Sequence, residues 1–361
     1  MIAAGGTGGH LYPALATAEA LTDHNPALEL HFVGVIGGSE RQYIEAFQLP
    51  RYRYSEILAG PIHGLSLLRK LRSMISLALG FLQSIILLLL NRPRVLLLTG
   101  GWTGFPVALA AWLLRIPRVM YLPDIEPGLA IKTLAPFVDR VALHTEESKQ
   151  FFSAGKCTLV GYPLRKSFLG HGRKDGIQRF QLNENKPTLL VFGGSLGARI
   201  LNQTLLSISS ALLEDGWQII HVTGQNNWQD FTRERAGVPQ EHYHVFPYLD
   251  DIGVAMAAAD LILSRAGASV LAESAVYATP SILVPLANPW RYQQVNAQYL
   301  ADRGVATLIR EEELFQSLLP TVRDLSRDDG SKLKQMRGNF GKMKAQNGAE
   351  ALAKELLKVA E

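Results

Sequence analysis

The sequence predicts an α/β protein of two Rossmann-like domains, each built on a parallel sheet, that face each other across a cleft. Two observations give this fold class. A glycine-rich turn between a short apolar strand and a helical pattern occurs twice, and apolar runs alternate with helical patterns along the chain. The 361 residues are also enough for two domains that each bury their own core.

The first glycine turn lies at the start of the chain. Ile2-Ala3-Ala4 precedes Gly5-Gly6-Thr7-Gly8-Gly9-His10, and apolar residues at helical spacing follow from Leu11 to Leu21. Such a turn brings backbone N–H groups and a helix N-terminus close to a ligand without obstruction by a Cβ atom, which suits a diphosphate. A strand-to-helix connection without a ligand explains one isolated turn equally well, so the second copy matters.

Continuous apolar runs in the first half of the chain predict buried parallel strands. These runs are His31–Val35, Val95–Leu98, Val119–Leu122 and Arg140–Leu143. Gly161-Tyr162-Pro163 then interrupts the pattern, which places the linker near Tyr162–Lys166. The expected boundaries are 1–163 for an N-terminal domain and 164–340 for a C-terminal domain. A final helix over 341–361 could pack back on the first domain.

The second glycine turn opens the second half. Thr188–Phe192 leads into Gly193-Gly194-Ser195-Leu196-Gly197, after which a helical pattern begins. Further strands are predicted at Gln218–Val222, His244–Phe246, Leu261–Leu263 and Ser281–Pro285. Neither turn has the dinucleotide spacing G-x-G-x-x-G, and the chain lacks a P-loop, so NAD and ATP are disfavoured. No cofactor is expected.

Composition narrows the class of partner. Hydrophobic residues make up 47% of the chain and charged residues 19%, which favours large parallel sheets or a membrane-facing surface. The net charge of +4 favours anionic partners, but the absence of a long basic run argues against nucleic acid. Cys157, the single cysteine, excludes an intrachain disulfide and a zinc cluster. No secretory signal is recognised at the N-terminus, so a cytoplasmic location is expected.

The segment Met74–Leu90 is almost wholly apolar and has basic residues on both sides. Arg69, Lys70 and Arg72 precede it, and Arg92 and Arg94 follow it. It is slightly short for a membrane span and leads directly into a core strand. Two interpretations remain: a crossover helix buried against the sheet, or an interfacial helix that binds an anionic membrane surface through residues 69–94. We favour the interfacial helix.

The chain resembles the MurG family of glycosyltransferases, which have the GT-B fold. The resemblance rests on the first glycine turn with Pro13, on 193–203, on Ser264-Arg265-Ala266-Gly267-Ala268 with Glu273, and on Gln293 with Asn296-Ala297. It spans nearly the whole chain and is strongest in the second half. The family moves N-acetylglucosamine (GlcNAc) from UDP-GlcNAc to an undecaprenyl-diphospho-muramoylpentapeptide, so the resemblance implies this inverting transfer in peptidoglycan synthesis.

The resemblance also implies which residues form the two ligand sites. For UDP-GlcNAc it implies diphosphate contacts from Arg165, Ser195 and the helix N-terminus at Ala268, Ser269 and Val270, a uracil contact from Leu249, a ribose contact from Glu273, and sugar contacts from Gln293 and Asn296. For the acceptor diphosphate it implies the loop of Thr7, Gly8 and Gly9. The implied acceptor is a polyprenyl-diphosphate-linked or other lipid.

The residue chemistry fits a metal-free transfer. A UDP leaving group gains negative charge, which helix N-termini and Arg165 can stabilise, and the chain has no Asp-x-Asp pair for a metal. The attacking hydroxyl needs a base, because an alcohol is a poor nucleophile at neutral pH. His10 at the end of the first glycine turn is the preferred base, with Asp124 as its orienting partner or substitute. A histidine that only spaces the loop is the structural alternative.

One loop departs from the family pattern. Where the family usually has His-Glu-Gln-Asn after the strand near Leu122, this chain has Tyr121-Leu122-Pro123-Asp124. The donor chemistry is retained, whereas the acceptor remains open. The alternatives are a GT-B transferase that acts on another membrane lipid, and a UDP-GlcNAc 2-epimerase or a nucleotide-sugar binder without transferase activity.

Overall fold

The computed structural model describes residues 1–5, 8–60, 66–194, 197–234, 241–287, 291–343 and 347–361. Contacts within the chain divide it into two compact units. Unit 1 consists of Met1–Arg165 and Gln346–Glu361, and unit 2 consists of Lys166–Ala345. Each unit is an α/β fold with a parallel sheet, which confirms the predicted fold class.

Unit 1 is built on a seven-stranded parallel sheet. Its strands are β1 (Ile2–Ala3), β2 (Leu30–Val35), β3 (Tyr52–Ile57), β4 (Leu96–Leu98), β5 (Arg118–Leu122), β6 (Arg140–Leu143) and β7 (Cys157–Leu159). The order across the sheet is β3-β2-β1-β4-β5-β6-β7. Its first helices are α1 (Gly8–His24), α2 (Glu40–Ala46), α3 (Leu67–Asn91), α4 (Gly104–Leu113) and α5 (Leu129–Leu134).

Unit 2 is built on a six-stranded parallel sheet. Its helices are α6 (Arg173–Phe180), α7 (Arg199–Glu214), α8 (Trp228–Glu234), α9 (Ile252–Ala258), α10 (Ala268–Val276), α11 (Tyr292–Asp302) and α12 (Leu314–Asn339). Its strands are β8 (Thr188–Phe192), β9 (Gln218–Val222), β10 (Tyr243–Phe246), β11 (Leu261–Ser264), β12 (Ser281–Leu283) and β13 (Ala306–Leu308), in the order β10-β9-β8-β11-β12-β13. The backbone of α12 leaves the helical conformation at Arg327–Gly330.

The apolar runs that predict strands are strands in the structure, and the buried cores lie on them. Leu98, Met120 and Val141 are buried in unit 1, as are Leu190 and Leu263 in unit 2. The sequence pattern missed β3, β7 and β13. All three lie at an edge of their sheet, where one side of the strand is unpaired and a continuous apolar run is not required.

The last helix of the chain, α13 (Gly348–Ala360), belongs to unit 1. It starts later than the expected residue 341, because Phe340–Lys342 forms a 3₁₀ turn at the end of α12 in unit 2. The Asn347 side chain accepts a hydrogen bond from Ala349 N at 3.0 Å and caps the helix. The helix packs on α1, and His24 Nε2 lies 2.8 Å from Glu350 Oε1.

The apolar segment forms α3, a helix of 25 residues with two different faces. The buried face is small: Gly80 lets the helix approach Leu58 so closely that a Cβ atom there would lie 1.8 Å from the Leu58 carbonyl oxygen. The exposed face carries large apolar side chains, namely Leu68, Leu71, Met74, Ile75, Leu79, Leu82, Ile86, Leu89 and Leu90. We call these nine residues the apolar stripe. In the described part of the chain, α3 is the one helix long and apolar enough to cross a membrane by length and composition.

Candidate active site

The first candidate site lies at the carboxyl edge of the unit 1 sheet, where ligands bind in open parallel sheets. The neighbouring strands β1, β4 and β5 end there. Gly5 follows β1, and Gly8 and Gly9 form the first turn of α1. Thr7 lies outside the described residues. Backbone N–H groups at the start of α1 have no partner within the helix, as anion binding requires.

His10 is held at this edge by a backbone carbonyl. Its Nδ1 lies 2.8 Å from the carbonyl oxygen of Thr99, directly after β4. Because a carbonyl only accepts hydrogen bonds, Nδ1 carries the proton and the lone pair of the neutral ring lies on Nε2. Burial lowers the pKa of His10 below its ordinary value, opposed by the Asp124 carboxylate and the Thr99 hydrogen bond. The imidazole is therefore neutral near pH 7, and the lone pair on Nε2 can accept a proton.

The turn after β4 completes this edge and was missed by the sequence interpretation. Gly100 has a φ of +117°, and a Cβ atom on it would lie 2.5 Å from His10 Nδ1. Only glycine meets both conditions without displacing the imidazole. Leu98-Thr99-Gly100-Gly101, a strand followed by two glycines, repeats the pattern of the first turn and is the signal that could have identified it.

The loop that carries Asp124 is fixed by side chains that follow β6. His144 Nδ1 donates to the Pro123 carbonyl oxygen at 3.0 Å, and Ser148 Oγ donates to the Ile125 carbonyl oxygen at 2.8 Å. Burial lowers the pKa of His144 to about 4, so this ring is neutral. The sequence interpretation assigned no role to His144, which has no motif around it.

The residues that depart from the family pattern differ in exposure. Tyr121 and Leu122 belong to β5 and are buried, and Tyr121 Oη donates to the Gly161 carbonyl oxygen at 3.2 Å. Pro123 is also buried, whereas Asp124 is partly exposed. Asp124 is therefore the residue of these four that can reach a ligand.

Arg165, expected in the second domain, belongs to unit 1. Its guanidinium carbon lies 4.1 Å from the ring centroid of Tyr12 in a cation–π contact. Tyr12 follows His10 by two residues in α1. The structure thus brings Arg165 to the helix that carries His10.

In unit 2 the second glycine turn joins β8 to α7. Gly194 and Gly197 have φ values of +87° and +79°, and a Cβ atom on Gly197 would lie 2.2 Å from the Thr223 carbonyl oxygen. Asn202 donates to the same carbonyl at 3.0 Å and also bonds His221, so the turn is fixed to the end of β9. Ser195 lies outside the described residues.

The other donor-site candidates lie around α10 and at the carboxyl ends of neighbouring strands. Ala268 and Val270 are buried in the first turn of α10, whereas Ser269 and Glu273, four residues apart on one helical face, are partly exposed. The remaining candidates differ in exposure and position. Leu249 is partly exposed between β10 and α9, Gln293 accepts a hydrogen bond from Leu286 N at 2.9 Å, and Asn296 is fully buried.

No group of three metal-ligating side chains occurs among the described residues. A cavity of about 320 Å³ lies in unit 1 between β3 and α3, with Ile57, Gln83 and Leu87 in its wall. None of the candidate residues lines it, so this cavity is separate from the glycine turns.

Comparison with known proteins identifies the family. The model of the glycosyltransferase family 28 N-terminal domain matches residues 1–143, and that of the C-terminal domain matches residues 188–356. Two similar relatives are the UDP-N-acetylglucosamine--N-acetylmuramyl-(pentapeptide) pyrophosphoryl-undecaprenol N-acetylglucosamine transferases of Halothermothrix orenii and Myxococcus xanthus. Each is 35% identical to this chain; the matches cover 94% and 98% of it, and 93% and 91% of the relatives.

Solved structures with the same fold include an Acinetobacter baumannii MurG and a UDP-GlcNAc 2-epimerase from Neisseria meningitidis. Their TM-scores are 0.75 and 0.67, at 23% and 14% identity, over 99% of this chain and 98% and 99% of theirs. These two likenesses support the two-domain GT-B fold. The matches to the family models and to the relatives extend over both units. The chain therefore belongs to glycosyltransferase family 28, in the MurG branch represented by these two relatives.

Proposed function

We propose that this protein is an inverting glycosyltransferase that moves GlcNAc from UDP-GlcNAc to a polyprenyl-diphosphate-linked muramoyl pentapeptide at the cytoplasmic face of the membrane. The geometry that carries the proposal is the neutral His10, whose Nδ1 is held by the Thr99 carbonyl oxygen and whose Nε2 lone pair can accept a proton. The 35% identity to the two relatives over nearly their whole length supports the choice of substrates.

In the proposed reaction the acceptor hydroxyl attacks the anomeric carbon of GlcNAc. Its oxygen forms the new glycosidic bond, its proton passes to His10 Nε2, and the bond to the diphosphate breaks with both electrons leaving on UDP. Burial lowers the pKa of His10, and the carboxylate of Asp124 partly offsets this lowering, so it stabilises the imidazolium that forms. The N-terminus of α1, with Gly8 and Gly9, binds the acceptor diphosphate beside Thr7.

The donor assignment follows the family resemblance. Ser269 and Glu273 share the partly exposed face of α10. On this face the Glu273 carboxylate can bind the ribose while a phosphate binds at the helix N-terminus beside Ser269. Arg165 and Ser195 contribute to the diphosphate, Leu249 to the uracil and Gln293 to the sugar. Fixed N–H dipoles and the Arg165 charge stabilise the leaving UDP without a metal ion.

We also infer that α3 binds an anionic membrane surface. The apolar stripe is exposed along the helix, and Trp112 and Leu113 on the neighbouring α4 are exposed as well. Arg69, Lys70 and Arg72 lie near the N-terminus of α3, where the helix macrodipole disfavours positive charge. Anionic headgroups offset this repulsion while the stripe enters the interface.

A second candidate is transfer to a different membrane lipid. It is favoured by the buried Tyr121 and Leu122, which replace polar residues of the family pattern, and by the carboxylate of Asp124 in place of an amide. An anionic side chain beside the acceptor loop disfavours a second negative charge close to it. The acceptor therefore decides between the two candidates.

The test is transfer of labelled GlcNAc from UDP-GlcNAc to a panel of lipid acceptors in the presence of EDTA. We expect label on the polyprenyl-diphospho-muramoyl pentapeptide, together with release of UDP. Label on diacylglycerol or polyprenyl phosphate alone would establish the second candidate. Conversion of UDP-GlcNAc into its 2-epimer without transfer would overturn both.

A further inference from the structure

The loop between β11 and α10, Arg265–Gly267, is held by a buried side chain from α11. Asn296 is fully buried, and its Nδ2 donates to the Ala266 carbonyl oxygen at 3.1 Å. Buried amide groups are costly to leave unpaired, so this bond fixes the distance between the loop and α11.

Arg265 holds the same loop from the other side. Its side chain is only 13% exposed, and Nη1 donates to the carbonyl oxygens of Val284 at 3.3 Å and Pro285 at 3.5 Å, which follow β12. The guanidinium also forms an ion pair with Glu311, which follows β13. It therefore connects the carboxyl ends of three neighbouring strands.

The loop determines where α10 begins. Gly267 immediately precedes Ala268, and its carbonyl oxygen accepts the Val270 N–H at 3.1 Å in the first turn. A shift of Ala266 moves the free N–H groups of this turn with it. Their aim at an anion depends on such sub-ångström placement.

We propose that Asn296, Arg265 and Glu311 are positioning residues that fix the N-terminus of α10 for the nucleotide diphosphate. This inference rests on the proposed function, since it takes UDP-GlcNAc as the ligand of α10. It reassigns Asn296, which the family resemblance places at the sugar hydroxyls. Its side chain has no exposed surface for a sugar, and its amide is directed to the backbone of the loop.

The two roles of Asn296 predict different ligand dependence. A sugar contact is absent when the ligand is UDP, so its loss weakens binding of UDP-GlcNAc and leaves UDP unchanged. A misplaced α10 weakens both ligands by the same factor, because both contain the diphosphate. The ratio of the two dissociation constants therefore separates a sugar contact from a positioning role.

The experiment measures binding of UDP and of UDP-GlcNAc to the full chain by calorimetry. The variants are Asn296→Ala and Glu311→Gln, the second being a partly exposed residue whose replacement keeps its shape. We expect both dissociation constants to rise by the same factor in Asn296→Ala, by up to about tenfold, the limit that the energy of one buried hydrogen bond sets, and by a smaller equal factor in Glu311→Gln.

Matched controls keep the comparison specific. Asn339 Nδ2 donates to the Gly304 carbonyl oxygen at 3.0 Å, so Asn339→Ala removes a bond of the same kind from unit 2. Glu312 lies on the same 3₁₀ turn as Glu311 but pairs with Arg310 near the surface. Asn339→Ala and Glu312→Gln are expected to bind both ligands like the unmodified chain.

The outcomes distinguish this inference from the proposed function. A loss confined to UDP-GlcNAc in Asn296→Ala would place the side chain at the sugar and overturn the positioning role. Unchanged affinities in both test variants, or equal losses in the controls, would overturn it as well. An unmodified chain that binds neither UDP nor UDP-GlcNAc would overturn the proposed function together with the inference.

Discussion

At the scale of single residues, the chemistry depends on a histidine that a motif reveals and on partners that no motif reveals. His10 follows from the first glycine turn, but the carbonyl that sets its tautomer belongs to Thr99, 89 positions away. His144 and Pro123 are likewise brought together by the sheet. Such contacts follow from which strands are neighbours, and one sequence does not determine that order.

The first prediction concerns the base. His10→Ala should lower kcat about 10²–10⁴-fold and leave the affinity for UDP-GlcNAc within about twofold, because a general base acts in the transition state. Asp124→Asn removes the charge that favours the imidazolium, so it should also lower kcat, but by a smaller factor than His10→Ala. The measurement is steady-state kinetics on an accepted lipid, with His24→Ala as the control on an exposed histidine of unit 1. Near-normal turnover of His10→Ala would identify a different base.

The second prediction concerns acid stability. The pKa of His144 is about 4 in the folded protein and about 6.5 when unfolded, so the unfolded chain binds more protons. The contribution of neutral, buried His144 to the free energy of unfolding is complete above pH 6.5. It is lost as the pH falls towards 4, by up to about 3 kcal/mol. Urea denaturation should show a smaller acid loss in His144→Gln than in the unmodified chain. Equal losses between pH 7 and 4.5 would show that His144 is not the titrating group.

At the scale of elements, strands buried on both faces could be predicted, whereas the edge strands β3, β7 and β13 could not and only the edge strand β10 was recognised. β5 and β8 are continuous apolar runs because neighbours cover them on every side. β3 has the sequence Tyr-Arg-Tyr-Ser-Glu-Ile, and five of its six residues are partly or fully exposed. Its polar residues are compatible with an edge strand, but their composition resembles that of a loop. For α3, the apolar composition was evident, whereas its narrow buried face depends on the contact at Gly80.

The third prediction concerns α3. The protein should co-sediment with vesicles that contain anionic lipid more than with neutral vesicles, and high salt should weaken this binding only partly, since apolar burial is not screened. The double variant Ile75→Glu with Leu82→Glu, on the apolar stripe, should reduce binding at least about tenfold. Phe315→Glu in unit 2 replaces an apolar residue that is at least as exposed as Ile75 and Leu82, and it should have no effect. Unchanged binding of the double variant would exclude α3 as the membrane surface.

At the scale of the whole molecule, two domains and their glycine turns could be predicted, and the return of the chain to unit 1 could be predicted only as an option. Helix α13 buries Leu352 and Leu356 in unit 1. Its apolar positions have helical spacing, which indicates that one face of the helix is buried. The pattern does not indicate which unit covers that face. The partner is fixed by the burial of these leucines, and the exposed pair of His24 and Glu350, which contributes little energy, lies where α13 meets α1.

The fourth prediction concerns this helix. A chain that ends at Met343 should retain binding of UDP and lose several kcal/mol of stability in unit 1, since burial of each leucine contributes roughly 1.5–3 kcal/mol. Hydrogen exchange of the backbone amides in the buried strands β4, β5 and β6, measured in mild urea, reports on unit 1 alone. Lys358→Ala, at an exposed position of α13, is the control. Unchanged exchange in the truncated chain would contradict a stabilising role for α13.

The return of the chain has a consequence for its synthesis. The ribosome makes the first part of unit 1, then all of unit 2, and only then α13. At about 5–20 residues per second, the roughly 320 residues between α1 and α13 mean that the outer face of α1 waits on the order of 15–65 s for its covering helix. Unit 2 is continuous in sequence and can fold while unit 1 still exposes apolar surface. The nascent chain therefore passes through a stage in which unit 2 is complete and unit 1, although synthesised first, still lacks α13. Chaperone binding or aggregation should be concentrated in this stage.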